Sequence, residues 1–78
     1  MSTHEVQAHE SDDLRHRFTY HPPHGDQVDR YTTLRAEAHE IADRILRLCP
    51  PGRERALAIT KLEEAVFWAN AAIARGEA

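Results

Sequence analysis

The side chains of this 78-residue chain that could do chemistry form a set suited to holding a small phosphorylated, base-containing ligand. Tyr20 sits in an arm stiffened by Pro22 and Pro23 and can offer its ring to a nucleobase. Arg35 and His39 stand at i,i+4 on the edge of one helical stripe, and Lys61, Trp68 and Arg75 share one flank of another. Stacking on an aromatic is worth roughly 1 to 3 kcal/mol per base, and Arg or Lys adds charge-assisted bonds to phosphate. Lys61 and Arg75 lie 14 residues apart, about 21 Å along a helix. One small ligand therefore cannot touch both in one chain, so they serve different pockets or meet through symmetry. Each of these residues also has a structural use: Tyr31 and Trp68 as packing, Arg35 and Lys61 as snorkelling stems, Arg75 as a complement to a helix C-terminus.

No catalytic set accompanies them. His21 and His24 flank a Pro-Pro pair, Cys49 is distant from both, and His4, His9 and His16 fall in a polar segment, so no tetrahedral metal set is expected. Cys49 precedes two prolines with no flanking base, and the only serines are Ser2 and Ser11. Glu63 and Glu64 are adjacent, so on a helix they point about 100° apart and share no substrate. The chain reads as a non-enzyme that needs no cofactor and no metal.

The elements that position these residues are helical. Residues 1–17 contain only Val6 and Leu14 as sizeable aliphatics and read as a mobile polar tail, with a short helical turn near Asp12 to Arg17. The prolines then force an extended entry, and Gly25 permits a sharp turn. Asp26 reads as an N-cap with Asp29 in the first turn. From there Val28, Tyr31, Leu34, Ala38, Ile41, Ile45 and Leu48 define an amphipathic helix of about 20 residues. Its far side carries Glu40 with Arg44 and Asp43 with Arg47 at i,i+4, a solvated face.

Cys49-Pro50-Pro51-Gly52 must end that helix, and the short connection predicts an antiparallel hairpin with a second helix from Arg53 to Arg75, capped by Gly76. On this helix Ala58, Leu62, Ala65, Ala69 and Ala72 form an expected core stripe, widened by Ile59, Val66 and Ile73. Phe67 then lies nearly opposite, among Thr60, Glu63 and Asn70, and Trp68 on a flank beside Leu57 and Lys61. The fold class is all-α: an antiparallel helical hairpin with a short N-terminal arm or helix, assembled as a homo-oligomer, residues 18–78 being a single helical oligomerisation and ligand-binding domain. Two helices bury too little to stand alone, and the uncovered aromatics with the Ala69, Ala71, Ala72 and Ala74 face predict a homo-oligomer.

The formal charge of −3 is spread along the chain, which argues against long nucleic acid as a partner while leaving a local cluster of donors for a small anion. No apolar run approaches the roughly 18 residues of a membrane span, so no membrane partner is expected. Met1 to Asp13 lacks signal-peptide character, and the single cysteine fits a reducing compartment, hence a cytoplasmic location.

Three segments carry a resemblance: F-T-Y-H-P-P-H-G-D-Q at Phe18 to Gln27, R-Y-T-T-L-R-A-E-A at Arg30 to Ala38, and C-P-P-G-R-E-R-A-L-A-I-T-K-L-E-E-A-V-F-W-A-N-A-A-I-A-R at Cys49 to Arg75. Together they resemble the small helical phage proteins that counter CBASS immunity by sequestering its cyclic oligonucleotide messengers. The resemblance implies a homohexamer acting as a sponge in the host cytoplasm without cleaving the messenger. It implies one site for cyclic dinucleotides between paired protomers and another for cyclic trinucleotides where three meet. It puts Tyr20, in its Tyr20-His21 arm, on a base, and a phosphate-binding basic residue at Arg35 or His39. Arg75 would suit the three-fold site. The sequence thus predicts a sponge for cyclic di- and trinucleotides, with Tyr20, His21, Arg35, His39, Lys61, Trp68 and Arg75 as ligand-binding residues. The alternative is a helical homo-oligomer that binds a host protein.

Overall fold

The computed structural model describes residues 3–78; Met1 and Ser2, the start of the expected tail, lie outside the described residues. It is all-helical: α1 spans Ala8–Phe18, α2 Gln27–Leu48 and α3 Arg53–Gly76, with no strand among the described residues. The helices α2 and α3 pack as the expected hairpin. The molecule extends 51 × 42 × 13 Å with a radius of gyration of 17.7 Å, well above the about 11.5 Å of a compact chain this long. It is one layer of helix thick.

Helix α1 exceeds the short turn expected near Asp12 to Arg17, running for 11 residues. Local charge explains the extension. The Gln7 N–H donates to Glu10 Oε1 at 3.1 Å at the N-terminus, Asp13 pairs with Arg17 at 3.1 Å, and Arg15, His16 and Arg17 complement the C-terminal dipole. This helix buries no residue.

Helix α2 starts after Asp26, whose carboxylate accepts from Arg30 Nε at 3.1 Å instead of capping a backbone N–H. Gly25 makes the preceding turn with φ +57, a left-handed conformation that glycine adopts without penalty. On its outer face Asp43 and Arg47 form their i,i+4 pair at 2.8 Å, and this bond to the guanidinium holds the Asp43 carboxyl below its ordinary range. Glu40 and Arg44 form no such pair among the described residues. At the hairpin tip, Arg55 Nη1 donates to the carbonyls of Leu46 at 2.9 Å and Cys49 at 3.3 Å. The helix α3 begins after Gly52.

The inner face of α3 differs from the expected stripe. Ile59, Leu62, Val66, Asn70 and Ile73 are half-buried toward α2, whereas Ala58, Ala65 and Ala72 are exposed. The wheel is turned by roughly a quarter from the alanine-centred reading, because branched side chains bury far more apolar area than alanine. On α2, Tyr31, Leu34, Ala38 and Ile45 are half-buried as expected, but Val28, Ile41 and Leu48 are exposed, since one neighbouring helix covers only a narrow strip. Among the described residues no apolar side chain is fully buried.

Among the described residues the one that is buried is polar. Gln27, 2% exposed, accepts from the His24 N–H at 3.1 Å and donates through Nε2 to Glu77 Oε1 at 3.0 Å, so both ends of its amide are satisfied. Glu77 also takes a bond from Arg30 Nη1 at 2.7 Å and a second from Arg30 Nη2. Gly76 is the last residue of α3 and lacks the left-handed φ of a glycine cap; the Glu77 side chain fastens this end instead.

Candidate functional site

A depression of about 440 Å³ opens where the arm passes over α2 and α3, lined by Arg17, Thr19, Tyr20, His21, Tyr31, Arg35, Asn70, Ala71, Ala74 and Arg75. It continues into a second, of about 360 Å³, along the groove between the helices, whose walls include Arg35, Ala38 and His39 from α2 and Glu63, Val66, Phe67 and Asn70 from α3. Arg35 and Asn70 line both, so the two form one groove on one face of the hairpin.

The arm is pinned so that Tyr20 is presented. Thr19 Oγ1 donates to the Arg15 carbonyl, and His21 Nε2 donates to the His16 carbonyl at 2.9 Å. His16 Nε2 in turn donates to the Arg75 carbonyl at 3.0 Å, tying the arm to the end of α3. The two imidazoles lie 4.7 Å apart, centroid to centroid. Between these anchors Tyr20 remains 80% exposed, an aromatic face with no ring partner among the described residues.

The charge at this end is positive. Arg17 is engaged by Asp13, while Arg35 and Arg75 form no ion pair among the described residues. Three guanidiniums around one concave surface offer fork-shaped donors for phosphate oxygens. The other end mixes signs: His39 comes from α2 and Glu63 from α3, with Phe67 beside them at 64% exposure.

Of the residues singled out from the sequence, Tyr20, His21, Arg35 and Arg75 come together in the first depression and His39 in its continuation. Within one chain Arg75 thus shares a surface with Tyr20 and Arg35, where the sequence placed it at a separate symmetric site. Lys61 and Trp68 do not join them. They project from the outer side of α3, where the Lys61 ammonium and the Trp68 indole N–H both donate to Glu64, at 3.5 and 3.4 Å.

Sequence reasoning passed over Arg17, Tyr31, Asn70 and Phe67 as groove residues. Arg17 was assigned to a tail, Tyr31 to the packing stripe of α2, and Phe67 and Asn70 to a face of α3 left without a partner in its own chain. Centring the wheel on Ile59, Val66 and Ile73 would have brought Phe67 and Asn70 to the groove. Among the described residues no three His, Cys, Asp or Glu side chains gather as a metal cluster, and no helix is long and apolar enough to cross a membrane.

The chain matches the family model described as Acb2/Tad1, hairpin domain, over residues 10–74. No curated protein and no solved structure matches it.

Proposed function

We propose that this chain, which belongs to the Acb2/Tad1 hairpin family of anti-CBASS sponges, sequesters cyclic di- and trinucleotide messengers without cleaving them. The observation that carries this reading is the gathering of Tyr20, His21, Arg35 and Arg75 in one depression together with Arg17. An exposed ring supplies a stacking platform for a base, and unpaired guanidiniums supply donors for the phosphates of the cyclic backbone. The Thr19 hydroxyl and the His21 imidazole in the groove are both bonded to main-chain carbonyls and not to each other, which favours capture over nucleophilic chemistry.

The functional unit in this reading is a homo-oligomer of the hexameric type. Support comes from a hairpin with no fully buried apolar side chain and from exposed Leu57, Phe67 and Trp68 on α3. A second copy would roof the groove and bring Lys61 and Trp68 toward a ligand from outside. Three copies meeting at Arg75 would each offer one guanidinium to a trinucleotide phosphate. Calorimetry against a panel of cyclic di- and trinucleotides, with chromatography of the recovered ligand, tests the proposal. Saturable heat and intact ligand support it; silence across the panel refutes it.

A second reading has one observation in its favour. Trp68, 64% exposed on the flank of α3 that also carries Leu57, could seat a host protein. It predicts capture of that partner and no heat with cyclic nucleotides.

A further inference from the structure

Tyr20 owes its place to its neighbours in the chain. It is 80% exposed, so packing of its own side chain does little to hold it at the depression, and the backbone on either side must do so. Downstream, His24 Nε2 donates to the Glu77 carbonyl at 3.3 Å and the His24 N–H donates to Gln27. Upstream lies α1, which buries no residue. Among the described residues, the bond from His16 Nε2 to the Arg75 carbonyl is the one hydrogen bond or ion pair that joins α1 to the hairpin.

The two partners suit each other. Arg75 lies in the final turn of α3, where carbonyls lack partners within the helix and the macrodipole places partial negative charge. A carbonyl has no proton to give, so the imidazole supplies it from Nε2. The carbonyl of His16 itself accepts from His21 Nε2 at 2.9 Å, and the two rings lie 4.7 Å apart. His16 thus fastens both the end of α1 and the residue next to Tyr20, yet it lines neither depression of the groove.

We propose that His16 is a positioning residue for ligand capture: through its bond to the Arg75 main chain it holds the Tyr20 ring at the depression that Arg35 and Arg75 line. This rests on the reading of the ligand as a cyclic oligonucleotide. Without the bond, α1 and the arm leave the hairpin for part of the time, and the fraction of molecules with the ring in place falls. Affinity falls with that fraction, down to the value of a groove that has no stacking platform. One net hydrogen bond sets the largest effect at about five-fold.

The test is calorimetry of the full chain with cyclic di-AMP on the wild type, His16→Ala, His16→Gln, Tyr20→Ala and the double variant of His16→Ala with Tyr20→Ala, the mass of each being measured by sedimentation. His16→Ala should keep the wild-type mass and weaken binding about three- to five-fold. His16→Gln, whose amide keeps a donor at similar reach, should stay within about two-fold of the wild type. In the Tyr20→Ala background His16→Ala should cost less than about 1.5-fold more, because no ring is left to position. A loss as large in that background as in the wild type would show His16 acting other than through Tyr20 and overturn the assignment. So would wild-type affinity in His16→Ala, or a His16→Gln protein as weak as His16→Ala. An altered mass in His16→Ala would place His16 at a seam between copies and overturn it too. Each of these leaves the sponge reading standing; absence of any binding by the wild type would overturn that reading, and this one with it.

Discussion

Arg30 grips Glu77 with both terminal nitrogens, joining the first turn of α2 to the residue that follows α3. The two residues close the open end of the hairpin at the end where the arm and Arg75 must be held. The pair has a defined response to acid. Bonded to the Arg30 guanidinium and to the Gln27 amide, the Glu77 carboxyl is lowered from its ordinary 4.5 to about 2. A depressed carboxyl contributes stability that is present above the unfolded value and is lost as pH falls through the folded one. Stability should therefore decline between pH 4.5 and about 2. Glu77→Gln should flatten that decline in urea denaturation midpoints compared across the same range. Because the pair is solvent-exposed, high salt should shrink the difference between the two proteins.

Tyr20→Ala should weaken cyclic dinucleotide binding roughly ten-fold or more, the worth of one base stack, and leave the sedimentation coefficient unchanged. The arm is pinned at Thr19 and His21 and the Tyr20 ring is 80% exposed, so its removal costs the fold little. Unchanged affinity would remove the stacking role.

Arg75→Ala should reduce trinucleotide affinity more than dinucleotide affinity if copies meet at a three-fold through this residue. Within one chain Arg75 lines the same depression as Tyr20 and Arg35. Equal losses with both ligands in calorimetry would show that the two proposed sites are one groove.

Trp68→Ala should lower the molecular mass measured by sedimentation equilibrium at micromolar concentration. The indole stands out from α3 with only Glu64 as a partner among the described residues, and large exposed aromatics contribute disproportionately to protein interfaces. An unchanged mass would remove Trp68 from the seam.

The hairpin was legible in the sequence because its signals are local and strong. Pro50 and Pro51 break a helix wherever they fall, and the spacing of Leu34, Ala38 and Ile45 admits one period. The rotation of α3 was harder to read. An alanine-rich helix offers two apolar sectors, and only the partner surface decides which turns inward; Ile59, Val66 and Ile73 won over Ala58, Ala65 and Ala72. That choice governs the site, since it moves Phe67 and Asn70 from an open face into the groove and leaves Lys61 and Trp68 outside it. The length of α1 was hidden for another reason: it has no buried face, and its charges act within a few residues, which hydrophobic periodicity does not detect. Tyr20, His21 and Arg35 could be named from residue type, but their meeting with Arg75 depends on the His16 bond to the end of α3, a contact across 59 residues.

The central claim, capture without cleavage in the groove whose two depressions Arg35 joins, is tested most directly by one paired titration. Wild-type protein and Arg35→Ala are titrated with cyclic di-AMP in a calorimeter, and the ligand recovered after denaturation is run on a column. The expected result is saturable binding by the wild type, a loss of about ten-fold or more in the variant, and quantitative return of the intact ring. No heat from the wild type, equal heat from both proteins, or a linear product on the column would contradict it.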